Sequence, residues 1–137
     1  MDKKLIGLML LFMLTFGLFT TITVFNKPLT RLTKAKEEFL PSSDSTLIFA
    51  WPLSVKISEG TKVQINVFVR NMNNIPLPNK TVTLNSTLGK ISENNIITDK
   101  AGKAVFTLKP SVPGIAEISA TVDNQVQVKQ KITVKIE

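Results

Sequence analysis

Residues 62–70 read KVQINVFVR, in which Val63, Ile65, Val67 and Val69 alternate with Lys62, Gln64, Asn66 and Arg70. A two-residue period sends one set to each face of an extended chain, so this stretch predicts a strand with one side in a core. The same pattern recurs downstream. Val82 and Leu84 alternate with Thr81 and Thr83, and Ala104, Phe106 and Leu108 with Lys103, Thr107 and Lys109. Ala116, Ile118, Ala120 and Val122 alternate with Glu117, Ser119 and Thr121. Val126, Val128, Ile132, Val134 and Ile136 share one parity against Gln127, Lys129, Lys131 and Lys135. Gln130 falls on the apolar side of that last run, which calls for a bulge or a change of sheet partner there. Phe68 and Val105 break the pattern the other way and are expected to face outward, covered by a loop or simply exposed.

Turn signals separate these runs: Asn71-Met72-Asn73-Asn74, Leu88-Gly89-Lys90, Asp99-Lys100-Ala101-Gly102 and Pro113-Gly114. Asp123-Asn124 predicts a hairpin turn between the last two strands. Short strands at close spacing, with no helical stretch from Leu47 onward, argue for an all-β antiparallel sandwich.

Upstream, Leu5 to Phe25 reads LIGLMLLFMLTFGLFTTITVF without one charge. A helix of that length spans roughly 30 Å, the thickness of a bilayer's hydrocarbon core. It satisfies its own backbone groups, with Thr hydroxyls bonding back to the preceding turn. The competing reading is a cleaved secretory signal headed by Lys3 and Lys4. The apolar stretch is too long for that, and no A-x-A-like site follows, the first alanine being Ala35. The segment is therefore read as one N-terminal transmembrane α-helix, a signal-anchor contacting the lipid bilayer. Lys27, Arg31, Lys34 and Lys36 after the span outnumber the two lysines before it, which taken alone favours a cytoplasmic C-terminal side. The expected organisation is a basic N-terminus and membrane helix over 1–25, a juxtamembrane linker over 26–46 and a β-sandwich over 47–137. Within the linker, PLTRLTKAKEEFL either continues the membrane helix past Pro28 or lies at the headgroups, with Leu29, Leu32 and Phe39 near one face. Pro41-Ser42-Ser43-Asp44-Ser45 reads as a flexible break.

Composition narrows the chemistry. The 137 residues leave room for one soluble domain beside the apolar stretch. There is no Cys, no His and no Tyr, which removes disulfides, thiolate metal sites, a cysteine nucleophile and the commonest general base. No G-x-G-x-x-G, Walker loop, H-E-x-x-H or G-x-S-x-G occurs, and Glu59, Glu93, Asp99, Glu117 and Asp123 are scattered. No catalytic, cofactor-binding or metal-binding residue is expected, no cofactor and no small-molecule substrate. Asp99 reads as a turn residue rather than a Ca²⁺ ligand. Asn79-Lys80-Thr81 and Asn85-Ser86-Thr87 fit the glycosylation pattern by chance. The net charge of +7 reads as a soluble lysine-rich surface, with weak attraction to anionic cell-surface polymers. A nucleic-acid partner would want a basic stripe interleaved with aromatics; only Phe68 and Phe106 lie near the Lys-bearing strands, and none is expected.

The stretch from Glu59 to Gln125 resembles a bacterial Ig-like domain of the first group, the repeat of invasin- and intimin-type surface proteins. The matching elements are N-x-P-x-P-N at Asn74, Pro76, Pro78 and Asn79; T-D-x-x-G-x-A from Thr98 to Ala104; and P-G-x-x-x-I-x-A from Pro113 to Ala120. The resemblance covers roughly Ser54 to Glu137 and implies an immunoglobulin-like topology and export, hence a cell-membrane protein with its C-terminal domain extracytoplasmic. The matched positions are scaffold positions: Gly102 permits positive φ at a hairpin end, and Pro76 and Pro78 keep a connection extended. Family members are usually strung in tandem, often behind an outer-membrane β-barrel, whereas here one copy follows an apolar helix. One sandwich reaches roughly 35–40 Å. The implied role is a display module in cell-surface adhesion or in an envelope assembly, with an unknown protein or envelope polymer as partner. The alternatives are a pilin-like filament subunit, although Phe12 stands where the acidic residue of a mature pilin helix is expected, and an accessory subunit of a membrane secretion or enzyme complex.

Overall fold

The computed structural model describes residues 2–137, with the side chains of 25–38 left outside the description; the shared face expected for Leu29, Leu32 and Phe39 therefore lies outside the described residues. The chain divides into two compact units, residues 1–37 and 38–137.

The first unit is helical: α1 (Lys3–Glu38), whose last residue is counted with the second unit, runs on through Pro28, one of the two courses the sequence leaves open there. Its stretch Lys3–Val24 is 22 residues long and apolar enough to cross a membrane. Its threonine hydroxyls bond back to the preceding turn: Thr15 Oγ1 donates to the Leu11 carbonyl at 3.1 Å, Thr20 to Phe16 at 3.0 Å and Thr21 to Gly17 at 2.7 Å.

The second unit is an immunoglobulin-like sandwich of ten strands: β1 (Leu47–Trp51), β2 (Ser54–Val55), β3 (Val63–Phe68), β4 (Thr81–Ser86), β5 (Lys90–Ile91), β6 (Asn95–Ile97), β7 (Lys103–Lys109), β8 (Gly114–Val122), β9 (Val126–Gln127) and β10 (Ile132–Ile136). The first sheet has the order β1-β3-β7-β5. The second has the order β2-β10-β8-β4-β6, with β9 beside β8. All pairs are antiparallel except β2 with β10.

The two-residue period drives the packing. Val63, Ile65, Val67, Ala104, Phe106 and Leu108 of the first sheet meet Val82, Leu84, Ala116, Ile118, Ala120, Val122 and Val134 of the second, all almost wholly buried. Asp123 and Asn124 take positive φ of 50° and 55° between β8 and β9, the left-handed pair a tight hairpin turn needs.

Gln130 resolves its parity conflict by leaving the ladder. The strand breaks between β9 and β10, and the Gln130 amide turns to the edge of β1 in the opposite sheet. There it accepts the Ile48 N–H at 3.0 Å and donates to the Ile48 carbonyl at 3.0 Å. One side chain thus takes the place of a neighbouring strand. The stretch of residues 41–45, expected to be a flexible break, is instead tied down at Ser42 and Ser43, and Thr46 after it is packed in. The Ser42 N–H donates to the Arg70 carbonyl at 2.8 Å, the Ser43 hydroxyl to the Gln127 carbonyl at 2.6 Å, and Thr46 is buried. Small hydroxyl residues read as a loop composition, yet the Ser43 and Thr46 hydroxyls bond backbone groups that are distant in sequence, at Gln127 and Arg70.

A candidate interaction surface

The outer face of the first sheet is built by register. Leu47 lies opposite Phe68, which lies opposite Lys103; Phe49 lies opposite Asn66, which lies opposite Val105; Trp51 lies opposite Gln64, which lies opposite Thr107. Directly opposed residues share a face, so the outward parity of β1 carries three large apolar side chains in a row. Trp51 is 76% exposed and Phe49 51%. Phe49 and Phe68 meet edge to face, with ring centroids 5.9 Å apart and planes at 75°. The Lys103 ammonium stands 5.8 Å from the centre of the Phe68 ring.

At the other end of the sheet the face becomes basic. Lys90 on β5 lies directly opposite Lys109 on β7, and Lys62 precedes the Val63–Leu108 pair on β3. Lys62 and Lys109 line a hollow together with Ile57, Gly60, Thr61 and Pro110. Two like charges in cross-strand opposition oppose sheet formation. No Asp or Glu occurs in any of the four strands of this sheet.

The second sheet and its flanks differ. Lys80 pairs with Asp123 at 3.0 Å, Lys131 with Glu117 at 2.7 Å, Lys129 with Asp44 at 2.9 Å, and Lys135 with Glu137. The hydrogen bond and charge of Asp44 raise the Lys129 pKa, and those of Lys135 lower that of Glu137. Among the described residues, Lys62, Lys90, Lys103 and Lys109 make no ion pair. The uncompensated positive charge of the sandwich is therefore concentrated on the same sheet as its exposed aromatics.

The residues singled out in the sequence take scaffold positions. Asp99 Oδ1 accepts the Ala101 N–H at 2.8 Å and the Lys103 N–H at 2.9 Å, the Asx-type turn expected of it. Gly102 has φ 70°, and a Cβ there would lie 2.6 Å from the Val69 carbonyl oxygen. Among the described residues there is no group of three or more Asp or Glu that could hold a metal ion, and no buried side-chain polar atom lacks a partner. The outward position expected of Phe68 and Val105 is where the register puts them; the sequence did not show that Phe49 and Trp51 join them. The signal was present in LIFAW, where Leu47, Phe49 and Trp51 share a parity, but Ile48 and Ala50 between them hide the alternation.

Comparison with known proteins fits this architecture. The profile of the bacterial Ig-like domain (group 1) matches residues 54–136. Comparison with curated proteins gives no match. A 282-residue C-terminal fragment of intimin, solved in complex with the intimin-binding domain of the translocated intimin receptor, is similar with 27% identity and a TM-score of 0.60 over 71% of this chain and 33% of that one. The D0-D1 domain of intimin shows 30% identity and a TM-score of 0.54 over 65% of this chain and 46% of that one. The adhesin InvE of Yersinia pseudotuberculosis, at 22% identity and a TM-score of 0.63 over 72% of this chain and 28% of that one, shares the fold. The chain spans between about a quarter and a half of the length of these structures.

Proposed function

The chain belongs to the bacterial Ig-like domain (group 1) family, and from that membership we propose that it is a membrane-anchored display module of the adhesion type, without catalysis of its own. Residues 1–25 and the helical stretch that follows hold it to the cell membrane, and the sandwich of 47–137 is presented on the extracytoplasmic side. The observation that carries this reading is the family match over 54–136, joined in one chain to an apolar helix of membrane-spanning length. Receptor binding by an intimin fragment supports a role in surface contact. The outer face of the first sheet is the contact surface. Its charges have no partners within the sandwich, whereas those of the second sheet are largely paired. An interaction face is marked by exposed aromatics and by charge left for a partner to neutralise. That partner is anionic.

Contact through an added strand, a common mode for exposed sheet edges, is disfavoured along β1 because Gln130 already occupies the outward groups of Ile48. The face, not this edge, is offered.

The absence of cysteine from the sequence provides the test. In Lys100→Cys, at an exposed turn position, the only thiol lies in the sandwich. A membrane-impermeant maleimide is expected to label it on intact cells as fully as after lysis. Labelling only after lysis would place the sandwich in the cytoplasm and overturn the reading.

A further inference from the structure

We infer that the outer face of the first sheet docks on an anionic lipid surface, with Trp51 and Phe49 at the level of the headgroups and Lys62, Lys90, Lys103 and Lys109 on the lipid phosphates. The inference rests on the anchored reading above and names the partner of that same face. Large apolar side chains beside lysines, on strands without a carboxylate, form the composition of surfaces that lie in a membrane interface. An acidic side chain there would be repelled by anionic lipid, and the four strands carry none. The Lys90–Lys109 opposition costs the free sandwich stability that an external anion returns. The hollow lined by Lys62 and Lys109 is open to a phosphate from outside.

Other occupants fit less well. A second copy placed face to face would bring the lysines of both copies together without an acid on either side. Phe49 and Phe68 stand at 75° to each other and so offer an extended glycan no shared flat platform. An added peptide strand meets the Gln130 amide at Ile48. An acidic protein surface satisfies the charges, but the bilayer has one further advantage. Residues 25–46 tie the apolar stretch to β1, so a membrane that holds the anchor also holds lipid at high effective concentration around the sandwich.

Trp51 is the only tryptophan and the sequence contains no tyrosine, so intrinsic fluorescence reports this face without labelling. The full chain is reconstituted in phosphatidylcholine vesicles, with or without phosphatidylglycerol in both leaflets. In the anionic vesicles Trp51 emission is expected to shift to shorter wavelength and to be quenched by brominated acyl chains. About 1 M salt, where the screening length falls to about 3 Å, is expected to reverse both effects. Lys62→Gln and Lys109→Gln are each expected to lower the ratio of docked to free sandwich about fivefold, with the melting transition retained. Identical emission in both kinds of vesicle overturns the inference. So does a shift produced by soluble polyglutamate on neutral vesicles, which assigns the face to an acidic protein. Flotation separates this from the anchor: a chain that floats with neutral vesicles but whose Trp51 ignores phosphatidylglycerol keeps the anchor and loses the docking. A chain that floats only with anionic vesicles keeps the docking and loses the anchor, and one that floats with neither loses both.

Discussion

Thr98 has its hydroxyl between two backbone groups: it donates to the Leu77 carbonyl at 2.8 Å and accepts the Lys80 N–H at 2.9 Å, with the residue itself buried. It therefore fastens the connection through Pro76 and Pro78 to the end of β6. Thr98→Val keeps the shape and orphans both groups, and is expected to cost about 1–3 kcal/mol in a denaturant or thermal melt. Unchanged stability would mean that the connection is held by packing alone. The neighbouring motif positions act locally: Asp99 caps the turn, and Gly102 takes a φ at which any side chain would press on the Val69 carbonyl. These local roles are legible in the sequence because turn chemistry acts within a few residues. The partners of Thr98 lie 21 and 18 residues away, and no spacing rule reaches that far.

At the scale of elements, β1 depends on Gln130 for its outer edge. Gln130→Ala would leave the Ile48 N–H and carbonyl without partners and open a short apolar edge strand to other chains. We expect a loss of about 1–3 kcal/mol and concentration-dependent association visible in light scattering. A variant that stays monomeric and fully stable would show that the edge needs no cover. Strands such as β3 and β8 were readable because one face is apolar and the other polar. β1 was not, because LIFAW is apolar on both parities, and which of its residues face outward depends on its register with β3. The candidate surface was only partly legible for the same reason. Phe68 and Val105 could be identified by breaking a pattern, whereas Phe49 and Trp51 stand in a run that has no pattern to break.

For the molecule as a whole, charge is arranged unevenly, and the paired side gives a pH signature. Glu137 is held below its ordinary pKa, chiefly by its hydrogen bond with Lys135, so its contribution is complete above the unfolded value and is lost as pH falls through the folded one. Lys129 is held above its ordinary value, chiefly by Asp44, so its contribution is complete below the unfolded value and is lost as pH rises through the folded one. All four side chains are open to solvent, so added salt is expected to weaken both effects. A melting temperature followed across pH should show an acid limb reduced by Lys135→Met and an alkaline limb reduced by Asp44→Asn, each change smaller at high salt. Variant profiles that superpose on the parent at low salt would show that the pairs add nothing. Beneath these details is a division of one chain into a segment suited to hydrocarbon and a sandwich that folds in water. Circular dichroism of residues 42–137 in detergent-free buffer tests that division most directly. A β-sheet spectrum with one cooperative melt is expected; a helical or unfolded spectrum would refute the division.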